Sequence, residues 1–183
     1  MNAKISSMLL LTFLTSGCAV NRSYMQLAVP DRSIVVADAG KTAVIDQVTD
    51  QRHFEENPSD PSVPSLKKGD EYKLDAEQRK RAIARKRNGF GKAMGDILLD
   101  GDATVETLTR DLVKKEMEQR GYQVLEANQD GAVGAMHVSI DIREFWAWFT
   151  PGMWTVDMEA KINTVFRLAG TAGEQSISVA GYG

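Results

Sequence analysis

The chain holds 183 residues, with 22 Lys and Arg against 25 Asp and Glu for a formal net charge of −3. With residues 1–17 set aside as a leader, enough remains for one domain with a core of its own. Cys18 is the only cysteine, which excludes a disulfide, a thiol nucleophile and a cysteine metal site from the folded part and leaves packing alone to hold it.

The first eighteen residues read as an export signal. Lys4 gives a positive start, Ile5 to Leu14 an apolar run, and Leu14-Thr15-Ser16-Gly17-Cys18 a stretch of small residues at which a peptidase cuts. A spanning helix needs about 20 apolar residues, so this run is too short to cross a bilayer. The pattern resembles a bacterial lipoprotein signal. That resemblance implies removal of residues 1–17 and lipidation of Cys18, palmitate among the acyl chains, with the protein then held on a membrane outside the cytoplasm. Each buried methylene adds about 0.8 kcal/mol, and stable anchoring takes more than one chain. Ala19 stands where an aspartate commonly retains lipoproteins in the inner membrane, so the resemblance implies the periplasmic face of the outer membrane.

Residues 18–33 show no period and are expected to be a lipidated tether, with residues 34–183 forming one periplasmic domain. Ile34 to Val36 suits a sheet edge. Thr42 to Arg52 is a better strand, carrying Val44, Ile45 and Val48, and its Asp50 and Arg52 are placed to pair across a turn for structural reasons. His53 to Lys73, with Pro58, Pro61 and Pro64, is a long loop of the kind that in compact domains is functional or disordered. Asp75 to Arg87 has helix-favouring composition and scarcely any apolar face beyond Ala76 and Ile83, which predicts a solvent-bridging or conditional helix. Ala93 to Leu99 carries apolar residues into the turn Asp100-Gly101-Asp102.

Thr104 to Arg120 is the strongest helix signal. Val105, Leu108, Leu112, Val113 and Met117 share one face, Asp102 or Thr104 serves as cap, and Gly121 stops the helix. Gln123 to Ala127 is a short strand and Asn128 to Gly134 a turn. Alternation then places Met136, Val138, Ile140, Ile142, Trp146 and Trp148 on one side of a long strand, and Trp154, Val156, Met158, Ala160, Ile162, Phe166 and Leu168 on one side of its return. Period two sustained this long predicts an antiparallel hairpin with arms longer than a small sheet needs, so its tip is expected to project. Gln175 to Tyr182 is a third strand with Ile177 and Val179 facing in. A domain ending on a strand also suggests a shortened chain.

Two surfaces stand out as candidate contacts. Ten of the 22 basic residues fall between Lys67 and Lys92, against four acids, so Arg79, Lys80, Arg81, Arg85, Lys86 and Arg87 form a basic limb suited to anionic partners: lipid headgroups, glycan phosphates or an acidic protein face. Nucleic acid is not expected for an exported chain. At the hairpin tip, Phe145, Trp146, Trp148, Phe149 and Trp154 break the alternation, so both faces there need cover, either from the preceding loop or limb or from a partner or lipid.

Catalytic signals are poor, and the chain is not expected to be an enzyme. Gly89-Phe90-Gly91-Lys92-Ala93-Met94-Gly95 fits neither a dinucleotide fingerprint nor a P-loop. Asp96, Asp100, Asp102 and Glu106 do not have calcium-loop spacing, so no metal or cofactor is predicted. His53 and His137 would suggest a hydrolase only if one faced acidic partners in a cleft.

The lipobox, the strand ending in Asp50-Gln51-Arg52, the amphipathic helix closing in Arg120-Gly121-Tyr122-Gln123-Val124 and the meander after it resemble the YajG-like family of outer-membrane lipoproteins. That resemblance implies location and an α+β fold, and it carries over no site residues. The segment 53–92 departs from it as an insertion, and a helix expected after the last strand is missing. The expected fold is therefore α+β, a mostly antiparallel sheet with one principal amphipathic helix on one face. The expected function is a non-catalytic adaptor in cell-envelope assembly or maintenance, with an envelope protein, lipid or glycan as partner. The alternative is a lipid- or glycan-binding component of a transport system, which a cavity behind the hairpin lined by Trp146, Trp148 and Trp154 would favour over a solid core.

Overall fold

The computed structural model describes residues 21–30, 40–66, 76–88, 90–151, 155–171 and 173–183. The expected signal peptide and lipidation site at Cys18, the strand expected at 34–36, residues 67–75 of the basic segment and Trp154 lie outside the described residues. The elements are β1 (Ser23–Met25), β2 (Lys41–Asp50), α1 (Ala76–Arg81), β3 (Ala82–Arg87), β4 (Ala93–Leu99), α2 (Val105–Gln119), β5 (Tyr122–Leu125), a 3-10 turn (Ala132–Gly134), β6 (Met136–Pro151), β7 (Val156–Gly170) and β8 (Gly173–Tyr182).

The fold mixes one main helix with an eight-stranded sheet whose spine is β6. One edge of β6 bonds to β7 along its length. The other edge takes β2 from Ala43↔Met136 to Asp50↔Ile142 and then β3 at Ala84↔Ala147. The sheet is mixed rather than purely antiparallel, although most of its residue pairs are antiparallel. β1 with β4, β2 with β5, β2 with β6 and β3 with β6 are all parallel. Antiparallel order is confined to β3 with β4 and to the meander β6–β7–β8. Parallel neighbours are joined by long crossovers rather than tight turns, and residue alternation carries no mark of partner direction.

Two bulges set which side chains share a face. In β2 the register moves from Ile45↔Val138 to Gln47↔Ser139, making Asp46 the extra residue. Ile45 and Val48, three apart in sequence, therefore meet the same hydrophobic cluster under α2. In β6 the pairing moves from Ile142↔Thr164 to Glu144↔Asn163, making Arg143 the extra residue. A bulge turns every later side chain over. Trp146 and Trp148 consequently leave the face of Ile142, against the alternation read from sequence, and Phe145 joins it instead.

The helix behaves as its pattern predicts. Thr104 caps it reciprocally with Thr107, the side chain of each bonding the backbone N–H of the other. Gly121, at φ 81°, follows its end in the left-handed conformation that glycine adopts without steric cost. Val105 and Leu108 are buried against Ile83, Leu99 and Ile142, while Val113 and Met117 lie over Ile45, Val138 and Ile140.

The basic segment does not form one helix. α1 ends at Arg81, and Ala82–Arg87 becomes β3. A helix polar nearly all round would have buried little. As a strand, the segment places Ala82 against Trp146 and Ile83 against Leu99 and Val105. Burial here outweighs intrinsic helix preference, which is worth at most about 0.7 kcal/mol per ordinary residue.

The stretch expected as a tether joins the sheet within its length. β1 pairs with β4 from Ser23↔Ile97 to Met25↔Leu99, and Asn21 N–H bonds Met94 O at 2.9 Å. Gly95 is required there, since a Cβ on it would stand 2.0 Å from Asn21 O. The hairpin is held on its β6 side as far as Ala147, which pairs with β3, and its tip at 152–154 lies outside the described residues. At the far edge, Ile177 and Val179 are 45% and 50% exposed rather than turned into a core, and no residue of β8 is buried.

Candidate functional site

Three places concentrate the side chains singled out above: the junction where β6 passes from β2 to β3, a cleft beside His137, and the open wing formed by β7 and β8.

At the junction, β6 has lost β2 and not yet met β3, so its inner edge carries carbonyls without a strand partner. Arg52 fills the gap. Its Nε and Nη2 bond Asp50 Oδ1 and Oδ2 at 2.8 and 2.7 Å, Nη1 reaches Ala82 O and Phe145 O at 2.6 and 3.0 Å, and Nη2 also reaches Arg79 O at 2.8 Å. All five N–H groups of the guanidinium are thereby used. Asp50 N–H in turn donates to Glu106 Oε1 of α2 at 2.8 Å. The pair expected from Asp50 and Arg52 thus ties β2, α1, β3, β6 and α2 at one point, and its role is structural.

Trp146 and Trp148 do not form an open aromatic patch. They are 2% and 7% exposed and pack with Leu66, Ala82 and Leu98, with Phe54 edge-on to Trp146 at 6.0 Å. Trp146 Nε1–H donates to Pro61 O at 3.2 Å, and Trp148 Nε1–H to Glu159 Oε2 at 2.8 Å. The proline-rich loop is the cover that the doubled apolarity of the hairpin end requires. Phe145 and Phe149 are half-buried.

Five of the six limb residues hold a hydrogen-bond partner within the molecule, and one of them is buried. Arg85 is 4% exposed, donating to Ser65 Oγ at 2.9 Å with Asp96 alongside at 3.9 Å. Burial pushes its guanidinium below the ordinary arginine value, and Asp96 opposes that shift. Arg81 bonds Leu99 O, Lys80 bonds Glu77, Lys86 bonds Asn21 O, and Arg87 bonds Gly91 O and Pro58 O. Arg79 is exposed, Lys80, Arg81, Lys86 and Arg87 are half-buried, and Arg85 alone of the six is buried.

The cleft was not foreseen as a unit. Asp46, His137, Ser139, Arg167 and Glu174 are among the residues around an open hollow of about 430 Å³. His137 Nδ1 lies 2.9 Å from Asp46 Oδ1, and Nε2 lies 3.1 Å from Ala132 O. Both ring nitrogens face acceptors, so the imidazolium is favoured. The Asp46 hydrogen bond raises the His137 pKa above its ordinary 6.5, with smaller support from the Asp46 charge and from Ala132 and with burial opposing. This is a histidine facing an acid in a cleft, the arrangement that would have argued for a hydrolase. Its nitrogens are already committed, however, and neither is left to take a proton from Ser139. Asp141 is 2% exposed and receives Arg167 at 2.5 and 2.9 Å. That hydrogen bond is the main cause holding its carboxyl below 3.8, the charges of Arg167 and Arg143 adding to it and burial opposing. The pair was legible in principle, since both residues occupy polar-face positions of a hairpin and stand one step apart across its register.

Asp96 is buried beside Arg22 and Arg85, while Asp100 sits at the turn and Glu106 is tied to the junction. Among the described residues, no group of three or more His, Cys, Asp or Glu side chains is placed to hold a metal, and no helix there is long and apolar enough to cross a membrane.

On the wing, Met158 is 81% and Ile162 44% exposed, beside Ile177 and Val179. Alternation puts these four on the α2 side of the sheet, with Ile162 opposite Phe145 and Ile177 opposite Phe166. Comparison with family models and with curated proteins finds no match for this chain.

Proposed function

We propose that this chain is a membrane-anchored periplasmic lipoprotein, lipidated at Cys18 on the outer membrane, that acts as a non-catalytic adaptor in cell-envelope assembly or maintenance. The observation that carries the reading is a contrast. Trp146 and Trp148, two of the three tryptophans that would line a ligand cavity, are sealed into a core, whereas the aliphatic side chains of β7 and β8 lie open on one face. A closed interior beside an open apolar strip suits binding to another macromolecule. The resemblance to YajG-like lipoproteins, resting on the lipobox, Asp50-Gln51-Arg52 and Arg120-Gly121-Tyr122-Gln123-Val124, supports the location. The same sealed core weighs against a lipid- or glycan-binding transport component.

The test is photo-crosslinking of the full chain in living cells from a probe at Met158, the most exposed side chain of the strip, with Cys18→Ser as the anchor control. A discrete protein adduct, lost with Cys18→Ser as the chain leaves the membrane fraction, is the expected result. Adducts to lipid or glycan alone would replace the adaptor with the binding-component reading.

A further inference from the structure

We infer that β8 is a self-pairing edge: two copies of this chain join antiparallel through Glu174–Tyr182 about a two-fold axis at Ser178, making one continuous sheet. The bonding direction of β8 follows from its end. Ala160 and Gly183 exchange both backbone hydrogen bonds, at 2.8 and 3.1 Å, and the β7–β8 register runs unbroken from Lys161↔Tyr182 to Gly170↔Gly173. Odd-numbered residues of β8 therefore turn their N–H and C=O groups toward β7. Glu174, Ser176, Ser178, Ala180 and Tyr182 turn theirs outward, and among the described residues no strand takes them up.

Such an edge is a template for another strand, and soluble proteins usually guard it with Lys, Pro, a bulge or a covering element. β8 reads Gly-Glu-Gln-Ser-Ile-Ser-Val-Ala-Gly-Tyr, with no Lys, Arg or Pro and no break in register. The occupant is indicated by symmetry. About Ser178 the strand is small, β-branched, small, β-branched, small: Ser176, Ile177, Ser178, Val179, Ala180. Antiparallel self-pairing sets Ser178 opposite itself, Ile177 opposite Val179, Ser176 opposite Ala180 and Glu174 opposite Tyr182. No like charges meet, and all five outward residues fall at positions that exchange hydrogen bonds. Ile177 and Val179, 45% and 50% exposed in one copy, become cross-strand partners on the α2 side, the kind of β-branched contact that stabilises sheets. C2 association of this kind is the commonest form of closed oligomer.

The experiment uses the purified full chain in mild detergent with no other protein present, so its outcome is separate from that of the adaptor reading. Sedimentation is expected to give twice the monomer mass in protein. Ser178→Lys places two ammonium groups opposite each other across the axis on an exposed position and should return the monomer with an unchanged circular dichroism spectrum. Ser178→Pro deletes an outward N–H that β7 does not use and should do the same. Under oxidation, Ser178→Cys should form more covalent dimer than the wild-type chain. Gln175→Cys should not, since the residue opposite that position is Gly181 of the second copy, and the two introduced thiols lie beyond the reach of about 7 Å for a disulfide. A monomeric wild-type chain, a dimer that survives both Ser178→Lys and Ser178→Pro, or equal crosslinking from the two cysteine variants would overturn the assignment.

Discussion

Asp50 and Arg52, two residues apart at the end of β2, form a bidentate ion pair whose guanidinium is fully buried while the carboxylate stays 11% exposed. Ordinary strand alternation would turn both side chains to one face, and here that places them in the fork where β6 exchanges one neighbour for another. Removing Arg52 would leave an aspartate and the carbonyls of Arg79, Ala82 and Phe145 without their donor. Breaking a buried pair from one side costs about 3–5 kcal/mol, so Arg52→Ala is expected to lower stability by that order in urea denaturation. Arg52→Lys should recover little of it, because an ammonium cannot supply five donors in a planar fork.

The sealed tryptophans give a second, contrasting pair. Trp146→Ala should cost about 3–5 kcal/mol, the range for large aromatic truncations in cores. Met158→Ala, on a side chain 81% exposed, should stay within about 0.5 kcal/mol. Both are read from denaturation midpoints. The same core predicts a blue-shifted emission component from Trp146 and Trp148 that moves to the red when the loop cover over Trp146 is weakened, for instance by Leu66→Ala.

The ion pairs of the polar face predict opposite pH slopes. His137 has a raised pKa through its Asp46 hydrogen bond. Its contribution is fully present below its unfolded value near 6.5 and is lost as pH rises through the higher folded value. Asp141 has a lowered pKa through Arg167. Its contribution is present above its unfolded value near 3.8 and is lost as pH falls through the depressed folded one. Thermal midpoints followed through both windows should flatten on the alkaline side in His137→Gln and on the acid side in Asp141→Asn. A slope unchanged by either substitution would remove that group from the account.

Much of the fold was readable because it rests on local periodicity. α2 showed itself through Val105, Leu108, Leu112, Val113 and Met117, and the β6–β8 meander through a period of two that no helix could share. What stayed hidden depends on partners distant in sequence. Nothing in Ala82-Ile83-Ala84 announces that Trp146 and Leu99 will bury them as a strand, so the composition read as helix. Parallel pairing of β2 with β5 and β6 is likewise invisible to alternation. The site readings divide similarly. The pairing of Asp50 with Arg52 followed from their spacing, but not the three carbonyls Arg52 also holds. Charge density suggested a basic surface, but could not show that Arg85 would be buried on Ser65 or that Arg81 and Arg87 would bond backbone carbonyls.

Arg143 carries the sharpest consequence of a feature that pattern could not supply. As the extra residue of the β6 bulge, it decides that Ile142 faces α2 while Trp146 and Trp148 face the proline-rich loop. Its side chain does little to hold this arrangement, being half exposed and 3.6 Å from Asp141. Arg143→Ala should therefore cost no more than about 1 kcal/mol, as surface substitutions do. Deleting the residue is a different perturbation, because a one-residue slip reverses every later side chain. Without Arg143, Trp146 and Trp148 would turn toward α2, whose face is already filled by Ile83, Leu99 and Val105, and Phe145 would turn toward the loop. The deletion variant is expected to lose cooperative unfolding and bind a hydrophobic dye, while Arg143→Ala unfolds as sharply as the parent. A deletion variant that retained a sharp transition would show that the extra residue is absorbed elsewhere in β6 and that the bulge does not set the two faces.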